Sequence, residues 1–241
     1  FYVGLCNSQG EYFCVLDGDD YYTIPDKLQR QVDFLDKDVD EEYVATATNF
    51  IIDLGDGNIS IPARSTYKEF SYADFLTQAS GYYHTATYVY RNIFRGNVPG
   101  FFDNILYRGD TPRTTFHLKY SGKKVKVLDF VGSCYVFEFN GIWSSLSQKQ
   151  QYEYQINYQT KHRLNVDTNF EKNACDRFIG FNKKGLETAK EDLRRYPLVT
   201  IDEALDVLVE YTKKFAFKEK NFMLQHFYSS EYIDTLCASI G

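Results

Sequence analysis

The stretch Glu11-Tyr12-Phe13-Cys14-Val15-Leu16-Asp17-Gly18-Asp19-Asp20 limits the fold of this chain more than any other. A short apolar run stops abruptly in three acids around one glycine, and Tyr21-Tyr22-Thr23-Ile24-Pro25 follows. Such a run predicts a buried strand over 12–16 that delivers carboxylates to the C-terminal edge of a sheet, where open α/β sheets bind their ligands. Clustered acids repel one another, so the cluster is destabilising unless a cation sits among them. The outline is that of a metal–phosphate site. Asp17 and Asp19, one residue apart on a turn, can place oxygens on one divalent ion, and Mg²⁺ or Mn²⁺ completes its shell with phosphate oxygens and water. A calcium EF-hand loop is excluded, because Tyr21 and Tyr22 stand where it needs Asp or Asn and then Gly. A phosphatase-type aspartyl nucleophile also follows an apolar strand, but wants Thr or Val where Tyr21 stands. An acidic strand-end turn without metal is a further reading.

Downstream the pattern alternates between helix and strand. Thr23 as cap, Pro25 in the first turn and Leu28, Val32 and Leu35 at helical spacing predict a helix after the acids. Residues 43–54 and 58–61 read as two strands around Gly55-Asp56-Gly57. Ser71 caps a helix near 72–78, and the alternating, aromatic 82–91 predicts a strand. Residues 97–103 form a Gly- and Pro-containing loop, 111–120 a helix, and 124–130 and 133–139 two strands. From about Leu146 glutamine, lysine and glutamate dominate and the period becomes helical, with helices expected near 148–163, 172–194, 201–218 and 221–238. Thr200 and Glu203 make a capping-box pattern ahead of the clearest apolar stripe. The expected division is a mixed α/β unit over 1–145 and a helical region over 146–241, whose stripes pack on each other or on the sheet. The opening Phe1-Tyr2-Val3-Gly4 reads as the middle of a domain.

Composition narrows the function. Net charge is −6 and no Lys/Arg block exceeds a few residues, which disfavours a duplex-binding role that needs a basic patch. No apolar run approaches the length that spans a bilayer, leaving at most peripheral membrane contact. Five scattered cysteines without CxxC spacing fit free thiols in a reducing compartment, with the cytoplasm as the default, and argue against a cysteine zinc site. The 21 Tyr and 20 Phe suit either sugar- or base-binding surfaces or a strand-rich aromatic core.

The acids do not stand alone. Gly10-Glu11-Tyr12, Leu16-Asp17-Gly18-Asp19-Asp20-Tyr21-Tyr22, Pro25, Lys27-Leu28 and Gln31-Val32 follow at tight spacing. This resembles the family-2 glycosyltransferases of GT-A fold, whose pattern GEY-(apolar)-LDxDD-x-(aromatic)-x-x-P-x-K-L-x-x-Q is matched densely over residues 10–35. Further on, Arg108-Gly109-Asp110-Thr111-Pro112-Arg113 occupies the place of the family's acid-ending loop, with Gly109 where Glu is commoner. Gly122-Lys123-Lys124-Val125-Lys126-Val127-Leu128, followed by Tyr135, is similar to the family's next strand, but Val136 and Phe139 stand where many members have Tyr-Arg and a nearby His.

The resemblance covers roughly residues 4–145 and implies a GT-A-like mixed sheet flanked by helices, without the first nucleotide-binding strands and with a helical C-terminal extension. It implies an inverting, metal-dependent transfer of sugar from a nucleotide-sugar donor, a UDP-sugar foremost, to a hydroxyl of a polysaccharide, lipid-linked or protein-bound glycan. Asp19 would coordinate Mn²⁺ or Mg²⁺ directly, and Asp17 would share the ion or reach the ribose. Asp20 would be structural, capping the following turn, and Asp110 would be the catalytic base. His84, Arg113 and Trp143 would face the acceptor; Arg113 reads equally as a solvated helix charge and Trp143 as core. His117, His162 and His226 read as structural. Two alternatives remain: a non-catalytic carbohydrate- or nucleotide-binding fragment of a larger enzyme, and a metal-dependent phosphotransferase.

Overall fold

A computed structural model describes residues 2–55, 58–62, 68–81, 83–99, 110–138, 141 and 143–189. The predicted helices over 201–218 and 221–238 and most of the predicted 97–103 loop lie outside these residues, as do Cys237 and His226. The elements are α1 (Tyr2–Asn7), β1 (Tyr12–Phe13), β2 (Tyr21–Tyr22), α2 (Lys27–Lys37), β3 (Tyr43–Asp53), β4 (Ile59–Ser60), β5 (Glu69–Phe70), α3 (Tyr72–Leu76) and β6 (Val89–Arg91). Then come α4 (Asp110–Ser121), β7 (Lys124–Val136), α5 (Gln148–Leu164) and α6 (Asn169–Thr188). The expected α/β class holds: a mixed seven-stranded sheet is flanked by helices. Its order is β1-β6-β3-β7-β2, with β4 beside β3 and β5 beside β7. Among the described residues only the long central pair β3–β7 is parallel. Every other pairing is antiparallel.

Several predicted boundaries move. The strand before the acids is only Tyr12–Phe13. The aromatic 82–91 segment yields a 3₁₀ turn, Thr85–Thr87, and then the short β6. Thr23 does not cap α2. Its hydroxyl donates to Val131 O (2.8 Å), and the helix starts after Asp26 without a side-chain cap bond. Leu28 is exposed, while Lys27, Gln31 and Leu35, one turn apart, are buried. Gln31 earns its place by donating to Thr46 Oγ1 (3.0 Å) and Thr87 O (2.9 Å). The two strands predicted at 124–139 are one, β7. Its register against β3 shifts between Thr48 and Phe50, and Gly132 sits in that bulge. A Cβ there would lie 2.6 Å from Thr48 Oγ1, so glycine marks a close approach rather than a break.

The aromatic wealth goes largely into the core. Phe13 stacks on Tyr90 (5.1 Å between centroids), Tyr90 on Tyr88 (5.3 Å), and Tyr83 on Phe70 (5.6 Å), beside buried Val44, Ala45 and Val125. Capping boxes start three helices as the side chains allow: Ser71 with Asp74, Ser147 with Gln150, and Thr168 with Glu171. Glu171 then does a second task. Buried at the start of α6, it accepts from Tyr72 Oη of α3 (2.7 Å) and pairs with Lys119 Nζ of α4 (2.8 Å). This fastens the α5–α6 pair to the sheet unit. No helix among the described residues is long and apolar enough to cross a membrane.

Candidate active site

The acids lie on the turn between β1 and β2, closed by Asp20 N–H donating to Asp17 O (3.2 Å). Asp17 and Asp19 are exposed, and Asp20 is 7% exposed. Asp20 Oδ1 accepts from Val136 N–H (3.1 Å), so this carboxylate ties the turn to the end of β7 instead of capping the turn that follows it. Its other oxygen, Oδ2, lies 3.3 Å from His84 Nδ1. Burial, and then the nearby Asp19 and Asp17 charges, push the Asp20 carboxyl up to about 6 against the opposing Val136 bond.

His84 is buried at the start of the 3₁₀ turn and stacks on Tyr135 (4.3 Å between centroids). Its Nδ1 also accepts from Ala86 N–H (3.5 Å). An acceptor nitrogen facing a carboxylate oxygen needs a proton or a cation between them. Burial lowers the His84 pKa, which the charges of Asp17, Asp110 and Asp19 oppose. Asp17, Asp20 and His84 each offer a ligand atom, all within 4.8 Å of one another. Carboxylates suit Mg²⁺ and Mn²⁺, and the imidazole favours the transition metal of the two. The residues therefore fit a divalent cation. Asp19, next door in sequence, is not in this three-residue group.

Asp110 is the first residue of α4, and its Oδ1 accepts from Thr111 N–H (2.7 Å). Arg113, one turn on, is not a solvated charge: it is 2% exposed, with its guanidinium over the Tyr90 ring (5.7 Å). Trp143 is 37% exposed and meets Tyr154 edge-on (5.8 Å) rather than lying in the core. A cleft of about 890 Å³ joins these groups, lined by Asp17, His84, Asp110, Arg113, Tyr135 and Trp143 among others. Every sequence-predicted site residue except Asp19 thus borders one space. His117 and His162 are buried, and His162 also borders the cleft. Burial takes His117 down to about 3 and His162 to about 4.

Sequence reasoning missed two things here. Asp20 joins the ligand group through the oxygen that Val136 leaves over, a division no motif announces. One wall of the cleft comes from α5, whose Tyr154, Gln155, Tyr158 and Gln159 read as an ordinary polar helix. The available signal was their spacing, two aromatics and two amides each four residues apart.

No protein-family model matches the chain, and no curated protein does. Among solved structures, the chain is similar to S. aureus TarS 1–349 in complex with UDP-GlcNAc, at 17% identity and a TM-score of 0.47. The match covers 87% of this chain and 59% of that one, so the chain spans well under two thirds of the solved structure's length.

Proposed function

We propose that this chain carries the catalytic part of a glycosyltransferase that moves a sugar from a nucleotide-sugar to a hydroxyl acceptor with inversion. The observation that carries the reading is the meeting of Asp17, His84 and Asp110 on one cleft, from segments as far apart in sequence as the β1–β2 turn and α4, with Asp20 grouped beside Asp17 and His84. It adds to the resemblance of residues 10–35 to the family-2 pattern.

Asp17, Asp20 and His84 would hold the cation, with Asp19, next to Asp20 in the same turn, as a further carboxylate. When bound there, Mn²⁺ or Mg²⁺ would supply Lewis-acid stabilisation of the charge developing on the departing diphosphate. The chain's own residues do the rest. Asp110 accepts the proton of the acceptor hydroxyl as that oxygen bonds the anomeric carbon from the opposite face. The anomeric carbon–phosphate oxygen bond breaks, and its electron pair leaves with the nucleoside diphosphate. A carboxylate is a weak base, so its position matters more than its strength. Asp110 is positioned well: its own helix fixes it through the bond from Thr111.

The test is to incubate the protein with Mn²⁺ and a panel of nucleotide-sugars, UDP-sugars first, and to follow diphosphate release. Asp110→Asn should keep donor binding and lower transfer by about 10²–10⁴-fold. Equal loss of binding and transfer rejects Asp110 as base. Asp17→Asn should abolish Mn²⁺-stimulated release, and Asp19→Ala should weaken it. Tight binding without turnover would instead favour a binding module, and hydrolysis of simple phosphoesters without a sugar-nucleotide would favour a phosphotransferase.

A further inference from the structure

The cleft changes character along its length. Asp17, Asp110 and Arg113 are its only charged lining residues among those described, and they lie toward the acid turn and α4. The wall made by α5 and Trp143 carries aromatic rings, uncharged amides and the buried His162 imidazole, whose pKa burial lowers to about 4 and so keeps it uncharged at neutral pH. Tyr154 and Tyr158 form one row and Gln155 and Gln159 the adjacent row, at the i, i+4 spacing that places side chains on one helix face.

This wall is built rather than incidental. Gln151, one turn before Gln155, donates from Nε2 to Trp143 O (3.0 Å) and to Leu146 O (3.4 Å), which stitches the indole-bearing segment to the helix. The α5–α6 pair is itself held to α3 and α4 by Glu171. A wall fixed in advance loses little freedom when a ligand arrives.

Rings beside amides form a chemistry that reads a sugar. The C–H face of a pyranose lies on an aromatic ring, and its hydroxyls exchange hydrogen bonds with amides, which both donate and accept. A phosphorylated or carboxylated unit would call for a cation on this wall, and an acyl chain for a wall without amides.

We propose that this end of the cleft is an acceptor subsite for a neutral sugar unit, seated against Trp143 and Tyr154, with its hydroxyls read by Gln155 and Gln159. It rests on the transferase reading and adds that the acceptor's first unit is an uncharged sugar read by α5, which presents a hydroxyl toward Asp110.

Trp143 is the single tryptophan of the chain, so intrinsic fluorescence reports on this end directly. The full chain is titrated with methyl glycosides and disaccharides of glucose, galactose, mannose and N-acetylglucosamine, with inorganic phosphate and decanoate alongside, while iodide quenching is followed. At least one neutral sugar should shield Trp143 saturably. Gln155→Ala, which loses one hydrogen bond to the sugar, should raise the half-saturating concentration about fivefold. Saturation-transfer NMR from the aromatic protons to the same sugars on the unaltered protein gives the answer even where the variant does not fold. Shielding by no sugar, stronger shielding by phosphate or decanoate, or a folded Gln155→Ala with unchanged affinity each overturns the subsite. Diphosphate release by the unaltered protein is scored in parallel. Release without sugar shielding removes the subsite alone, whereas shielding without release keeps the subsite and removes the transferase reading.

Discussion

Asp20 divides its two oxygens between architecture and chemistry. Oδ1 satisfies the Val136 amide, and Oδ2 faces His84. Removing the first contact strands a backbone donor, so Asp20→Ala should destabilise the fold by about 1–3 kcal/mol. Asp20→Asn keeps an acceptor oxygen for Val136 and should cost much less, and urea unfolding of both variants checks the ordering. Lys27 poses the opposite problem. It is fully buried, its ammonium lies over the Tyr22 ring (4.4 Å), and burial lowers its pKa to about 8 despite the thiol of Cys14 nearby. Between that value and its ordinary 10.5 the unfolded chain binds more protons than the folded one, so this lysine makes stability rise with pH across that window. Lys27→Met should flatten the rise, seen as the difference in thermal midpoint between the two proteins from pH 8 to 10.5.

Among the elements, α6 is bound to α3 and α4 through one buried carboxylate. Burial alone would raise the Glu171 pKa, but bonds from Lys119, Thr168 and Tyr72 prevail and bring it to about 2. A lowered carboxylate contributes stability above its ordinary value of 4.5 that is lost as pH falls toward 2. Glu171→Gln should therefore cost about 1–3 kcal/mol at neutral pH, with the gap to the parent closing below pH 4.5 in chemical denaturation. Elements with local signals were legible in the sequence. Ser71 announced α3, and the apolar content and Gly55 turn announced β3 and β4, because caps and turns are chemistry of neighbouring residues. Elements decided by distant contact were not. Gly132 looked like a strand end because nothing local shows that Thr48 stands against it. Thr23 looked like a cap because nothing local shows that Val131 takes its hydroxyl. The site follows the same division. The acid turn and Asp110 were legible, while the Asp20–His84 contact and the α5 wall exist only once the chain has closed on itself.

For the molecule as a whole, the sheet is held by partners remote in sequence. β3 pairs with β7 from Tyr43↔Lys124 to Asp53↔Val136, and β1 pairs with β6 across a comparable span. Such topologies fold slowly, since the chain must close long loops before those contacts form. The bond from the Val136 amide to Asp20 has a mechanical meaning at this scale. This bond ties the β1–β2 turn to the last residue of β7, beside the β2–β7 pairing that joins the same two segments. A molecule that settles against the indole should therefore tug on the acid turn, and a cation held by the acids should tug back. Slower deuterium uptake at the Val136 amide when either one binds, abolished in Asp20→Ala, would register that pull.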